Sequence, residues 1–255
     1  MRRRASTLAA LLARLAPVVL TPAAFVLAIL VAWEAAVRVL HTPTYLVPRP
    51  SQLPGAIPQD VWMHIGVTTE EVVLGFLLAN AAALIAAVLF VQSRTLERGL
   101  YPLAIAMKTT PLVAIAPLLV LWFGTGLRSK VVAAALISFF PTLVNTVKGL
   151  RAASDDELEL FRALHAGRWS TLWRLQLPTA LPYLFAALKI STSLAVVGAI
   201  VSEFVGSNSG LGFLILQSSY HLDSPQLFVS IALSALVGFA LFAVVSLCEH
   251  VVVTW

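Results

Sequence analysis

Val72-Val-Leu-Gly-Phe-Leu-Leu-Ala-Asn-Ala-Ala-Ala-Leu-Ile-Ala-Ala-Val-Leu-Phe-Val-Gln92 contains no charged residue. About 20 mostly apolar residues suffice for a helix to cross a bilayer, and this run meets that length. Working outward, five further stretches read the same way: Val18–Leu40, Tyr101–Phe123, Val131–Leu150, Leu181–Phe204 and Leu227–Cys248. A membrane β-barrel would instead show alternating segments of about ten residues. These runs are long and rich in Leu and Ala, so the expected fold is all-α and polytopic, with six transmembrane helices. Composition agrees. Of 255 residues, 59% are hydrophobic and 11% charged, and the mean hydropathy is +0.91. A soluble domain carries about 25% charged residues; this chain cannot cover a water-facing surface, which excludes a soluble enzyme. High apolar content with a net charge of only +5 excludes disorder. Cys248 is the single cysteine, leaving no intrachain disulfide and no Cys-based zinc site.

Orientation follows from Lys and Arg. With the N-terminus inside, the internal segments hold Arg2, Arg3, Arg4, Arg14, Arg94, Arg98, Lys148, Arg151, Arg162, Arg168, Arg174 and Lys189. The external segments hold only Arg38, Arg49, Arg128 and Lys130, and Lys108 falls within a span. Basic residues concentrate on cytoplasmic loops, so both termini are expected in the cytoplasm. The pI near 9.8 is then a statement of topology, not of nucleic-acid binding. The chain reads as an N-terminal cytoplasmic segment (1–17), a first span with an external connector (18–59), a core (60–250) and a short tail (251–255). The stretch Ser6–Leu15 is expected as a short helix at the inner membrane surface. A cleaved signal peptide is disfavoured, because the apolar stretch from Val18 exceeds a usual signal core and five more spans follow. Pro43, Pro48, Pro50, Pro54 and Pro58 predict an extended, non-helical connector. His64, Thr68, Glu70 and Glu71 form a half-polar opening expected at the interface before the second span enters.

The one sizeable internal loop, 151–180, is the most charged part of the chain. Ser154-Asp155-Asp156-Glu157 has the S-x-x-E form of a capping box, with acids placed against a helix N-terminal dipole; a helix is expected from Asp155. Leu160, Phe161 and Leu164 fall on one face, and Gly167 stands where a C-terminal stop is expected. A second helical run places Trp169, Leu172 and Trp173 together, and Pro178 and Pro182 return the chain to the bilayer. From periodicity, two readings stand: an amphipathic hairpin anchored on lipid headgroups, or a rigid helix presented to a cytosolic partner.

A resemblance favours the second. Glu159-Leu-Phe-Arg-Ala-Leu-His165, nine residues, then Leu175-Gln-Leu-Pro178 resembles the E-A-A-x3-G-x9-I-x-L-P loop of membrane subunits of ABC importers. It continues through Ala180-Leu-Pro-Tyr-Leu184 and Ser202-Glu-Phe-Val-Gly-Ser-Asn-Ser-Gly-Leu-Gly-Phe-Leu214. Upstream, Lys108–Gly124 and Phe139–Thr146 are similar to the branch serving nitrate, sulfonate, taurine and pyrimidine-type substrates. The resemblance spans roughly 60–250. In this chain Leu160 and Phe161 stand where the family has alanines, and His165 where it has glycine, with a glycine displaced to Gly167.

The resemblance implies a type I importer-like permease in a bacterial inner membrane, paired with a second permease subunit, expected to be identical. It implies two ATPase subunits, each receiving one loop helix (Glu159, Leu160, Phe161, Arg162, Ala163, Leu164, His165, Ala166, Gly167), and a periplasmic or lipid-anchored binding protein. This sequence has no G-x-x-x-x-G-K-[ST] phosphate loop, so ATP and Mg belong to the partner; no cofactor and no catalytic role are expected here. The Gly206–Gly212 stretch lacks that lysine and is expected as a tight external turn that folds Phe213–Tyr220 back as part of a gate. Candidate path or gate residues are Lys108, Asn145, Ser191, Ser193, Glu203 and Asn208. Lys108 either snorkels to the cytoplasmic interface or lines the path. Glu203 either bonds the outer turn or meets solute; Ser191, Thr192 and Ser193 either satisfy neighbouring helices or face the path. His64, His221 and His250 are too scattered for a metal site. The expected cargo is a small polar or aromatic solute: a pyrimidine or flavin-type vitamin precursor, or nitrate, sulfonate or taurine. The rival is a secondary transporter driven by an ion gradient, which needs titratable groups at the midplane and usually a repeated half.

Overall fold

Small residues decide how closely these spans pack, because helix association in lipid depends on backbone approach, not on burying apolar surface from water. In the computed structural model, the described residues are 2–254, with side chains described except those of 2–19 and of Lys108. Ten helices run in chain order: α1 Arg2–Val39, α2 Val61–Gln92, α3 Arg94–Thr109, α4 Leu112–Phe123, α5 Leu127–Leu150, α6 Asp155–Ala163, α7 Arg168–Thr171, α8 Leu177–Gly206, α9 Leu211–Tyr220 and α10 Ser224–Val252. Among the described residues five helices are long and apolar enough to cross a membrane, or six if α3 and α4 form one broken span. The side chains that would place Ser6–Leu15 and the 1–17 segment at the membrane surface lie outside the described residues.

The chain sorts into two units, residues 1–58 with 218–229, and residues 59–217 with 230–255. In the second, α5 is sandwiched between α2 and α8. Gly75 of α2 and Gly198 of α8 both lie against Ala134 of α5; a Cβ on Gly198 would come within 2.6 Å of the Ala134 Cα. Val72, Phe76, Ala134, Ala195 and Ala199 fill this contact, with Val245 of α10 packed in. The hydroxyl of Ser191 donates to the Ser138 carbonyl (2.9 Å) and that of Ser138 to the Ser191 carbonyl (3.3 Å), a reciprocal bond across α5 and α8. In the first unit, Glu34 on α1 accepts from Arg38 Nε (2.7 Å) and from the Ser51 backbone N–H (3.1 Å), and Trp33 stacks near Phe228 at 5.5 Å.

The Tyr101–Phe123 span is broken: α3 and α4 meet at a bend of 100°. Pro111 has no N–H to continue the ladder and disfavours helical geometry at Thr110, whose ψ is 125°. The proline-rich connector is not wholly extended: Pro50–Ala56 form a 3₁₀ helix. Proline is tolerated in a first turn, and Gln52 Oε1 accepts from the Arg49 N–H at 2.9 Å. In the half-polar opening, His64, Thr68 and Glu71 are buried against protein, within a continuous α2. At Pro178 the second run passes directly into α8. The helix continues through a π turn at Leu172–Gln176, which offsets the register just before the residue that cannot donate, and this turn buries Leu172 while Trp169 and Trp173 stay exposed. The stop of α6 is likewise not at Gly167, as described next.

Candidate functional site

Two short helices, α6 and α9, carry the candidate chemistry. The first is α6. Its N-terminus carries the predicted box: Glu157 N–H donates to Ser154 Oγ (3.3 Å), while Ser154 N–H and Oγ–H donate to Glu157 Oε2 (2.8 and 2.9 Å). These two donors hold the Glu157 carboxyl below the usual carboxylate range. The C-terminus is a Schellman motif, in which the N–H groups of C′ and C″ reach back to satisfy orphan carbonyls. Here His165 N–H donates to the Arg162 carbonyl (2.9 Å) and Ala166 N–H to the Phe161 carbonyl (3.0 Å). The left-handed residue is His165, at φ 54°, the position where the resembled loop has glycine. Gly167, at φ −68°, instead opens α7. Both termini of α6 are therefore closed by local bonds, and none of its residues is buried. Leu160 and Leu164 are 58% and 68% exposed; Glu159, Arg162 and Ala163 are also open, and Phe161 and Ala166 are half-covered.

The second is α9, held by Glu203, as one of its two readings expected, and by α2 side chains whose part the sequence did not reveal. A helix begins with four N–H groups that lack internal partners. For α9 the acceptors come from two other helices. His64 Nδ1 accepts from Gly210 N–H (2.9 Å), and Thr68 Oγ1 accepts from Leu211 N–H (2.7 Å). Glu203 Oε2 accepts from Gly212 N–H and from Phe213 N–H, the latter at 3.2 Å. Thr68 donates its own proton to Glu203 Oε1 (2.6 Å), and His64 Nε2 donates to Asp60 (3.2 Å). A carboxyl at a helix N-terminus complements the dipole there. The opposite end is treated in kind: Lys130 donates to the Gly206 carbonyl at 2.8 Å, the last of α8, and to the Thr125 carbonyl. Glu71, one turn of α2 beyond Thr68, is buried as well. Lys130, Glu203 and Glu71 are all at least 98% buried, so the turn between α8 and α9 is fastened by a dry polar cluster. Gly210, at φ 105°, packs its backbone on the Glu203 carboxyl, where a Cβ would collide. The available signal was the spacing of His64, Thr68 and Glu71 at i, i+4 and i+7, one stripe of α2.

The remaining candidates are dispersed. Ser191 is fully buried between α5 and α8, and Glu203 is occupied as above. Asn145 is half-buried and donates to the Pro141 carbonyl (2.8 Å). Ser193 is exposed and faces an apolar groove between α8 and α10 whose volume is about 840 Å³. Asn208 is exposed in the turn between α8 and α9. The Lys108 side chain lies outside the described residues.

Residues 79–254 match the family described as the binding-protein-dependent transport system inner membrane component; α6 and the α8–α9 turn fall inside the match. The chain is 33% identical over 240 residues to the formylaminopyrimidine transport permease protein ThiX of Halalkalibacterium halodurans, covering 92% of this chain and 96% of that one. It is 37% identical over 232 residues to the riboflavin transport system permease protein RibX of Chloroflexus aurantiacus, covering 89% and 87%. An inward-facing structure of the MetNI methionine ABC transporter superposes with a TM-score of 0.66 at 18% identity, over 75% of this chain and 97% of that one, and shares the fold. This chain belongs to the family of inner-membrane components of binding-protein-dependent transport systems, the ABC importer permeases.

Proposed function

We propose that this chain forms the translocation path of an ATP-driven importer and is driven by a separate ATPase through α6. The observation that carries the reading is a short helix, closed at both ends by its own bonds and with every side chain at least partly open, inside the matched segment. A helix that keeps its shape without support from the core transmits a push along its length; an unstructured loop of the same size absorbs it. Two copies of the chain, or one copy and a related permease, enclose the path, with both termini and the 151–180 loop on the cytoplasmic side. An external binding protein delivers the solute to the α8–α9 side, where the fastened turn serves as the outer gate. ATP and Mg act on the partner. The named relatives act on a formylaminopyrimidine and on riboflavin, which supports a small polar heteroaromatic solute for this chain ahead of nitrate, sulfonate or taurine. An ion-driven mechanism would draw on buried carboxyls such as that of Glu203, which is already engaged at the α8–α9 turn.

The test is co-purification from detergent with the ATPase subunit of the same transport system. Recovery of the ATPase with the intact chain, and its loss on Glu159→Arg or on deletion of 158–167, is the expected result. Uptake by the deletion variant that persists without ATP would overturn the reading.

A further inference from the structure

The loop helix has a second face. Leu160 and Leu164 are exposed and lie four residues apart, on one stripe of α6. Leu158, Arg162 and Ala166 follow the same four-residue spacing about half a turn round, and all three line a cleft on the other side. The cleft has a volume of about 450 Å³ and is closed by Val91 and Gln92 at the end of α2, Arg94 at the start of α3, Arg168 and Thr171 of α7, and Gln176. Three guanidinium groups from three helices thus converge on one concavity, and no carboxylate lines it. Arg98 and Arg151 stand in the adjoining hollow, where Glu97 is already paired with Arg151 at 2.7 Å.

The chemistry of this cleft is that of a phosphodiester receptor. Guanidinium groups bind phosphate oxygens bidentately, and Gln92, Gln176 and Thr171 add neutral donors. Its position selects the source of the phosphate. The floor is the end of a membrane-crossing helix, and Trp169 and Trp173 beside it are 64% and 63% exposed, as aromatic side chains are at headgroup depth. A basic cleft at that depth meets anionic lipid at the cytoplasmic leaflet. The ATPase is expected against the opposite, leucine-bearing face. We infer that the cleft behind α6, lined by Arg94, Arg162 and Arg168, binds the headgroup of an anionic phospholipid and so seats the coupling helix against the membrane. The inference rests on the cytoplasmic placement of the 151–180 loop proposed above, but not on ATPase binding.

The full chain purified in detergent is mixed with phosphatidylglycerol or phosphatidylcholine of matched acyl chains, and bound lipid is read by native mass spectrometry. Phosphatidylglycerol should be retained in preference. The double variant Arg94→Ala/Arg168→Ala should lose retention by roughly tenfold or more, since each basic group near an anionic surface contributes appreciably. Arg174→Ala removes an exposed charge outside the cleft and should change nothing. All three side chains are exposed, so folding is not at stake, and detergent makes both faces accessible whatever the topology. Equal retention of the two lipids, or the same loss with Arg174→Ala, overturns the inference. So does displacement of the lipid by millimolar inorganic phosphate, which would mark a free-anion site. Loss of ATPase co-purification in the double variant with lipid retention unchanged would assign the cleft to the protein partner and overturn it as well.

Discussion

The helices α6 and α9 solve one physical problem in opposite ways. Each is short, about ten residues, and each must satisfy a set of orphan N–H groups at its start. α6 does so with a serine and a glutamate three residues apart, both in water. α9 borrows an imidazole, a hydroxyl and a carboxylate from α2 and α8, all buried. The first keeps its shape wherever the rest of the molecule goes; the second keeps its shape only while three helices stay in register. The proposed function calls on both kinds: a part that a motor can grip, and a part that changes when the helices around it move.

That contrast can be broken most severely at Glu203. Glu203→Ala strips acceptors from Gly212, Phe213 and Thr68 and leaves Lys130 short of a counter-charge. Removing one partner from a buried ionic cluster costs about 3–5 kcal/mol, so the outer part should lose its thermal transition in detergent while ATPase capture by α6 persists. Gly210→Ala comes next. At φ 105° an L-residue is strained by about 1–3 kcal/mol, and its methyl would press on Glu203; accelerated cysteine labelling at position 208, in an Asn208→Cys background, reports the loosened turn.

Changes in α6 are smaller and should leave global stability unmoved. Ser154→Ala removes a cap worth about 1 kcal/mol and should weaken ATPase capture by a few-fold, with no shift in the melting of the spans. Acid acts on the same box. The Glu157 carboxyl is held below its ordinary value, so its contribution is present above the unfolded carboxylate range and lost as pH falls through the lowered value. ATPase capture should decline over that interval, and Glu157→Gln, which keeps an oxygen for the Ser154 N–H, should flatten the decline. Smallest of all, His165→Gly relieves a left-handed residue and should tighten the end of α6 by up to about 1 kcal/mol, seen as slower amide exchange at Ala166.

The difference also explains what was legible in the sequence. Ser154 and Glu157 are three residues apart, so the box could be read from four letters. The bonds that fasten α9 join His64 to Gly210 and Thr68 to Glu203, pairs separated by well over a hundred residues; nothing in either neighbourhood names the other. The spans were legible because lipid imposes a compositional rule on every residue of a crossing. Pro111 marks a weak point of its span in the sequence, but proline within a span bends it or breaks it according to what packs nearby, which the sequence does not show. The helix stop was misplaced by two residues because glycine is the usual left-handed residue, and here histidine took that geometry while Gly167 did not need it. The sharing of Ala134 by Gly75 and Gly198 was invisible, since alanine and glycine recur throughout the spans.

The elbow before α4 has a consequence for the surrounding lipid. With 12 residues, α4 reaches only about 18 Å at 1.5 Å per residue, against a hydrocarbon slab of about 30 Å. Beside α4 the bilayer must pinch inward or yield its place to protein. The share of the barrier that lipid supplies beside α4 is then set by where one proline falls.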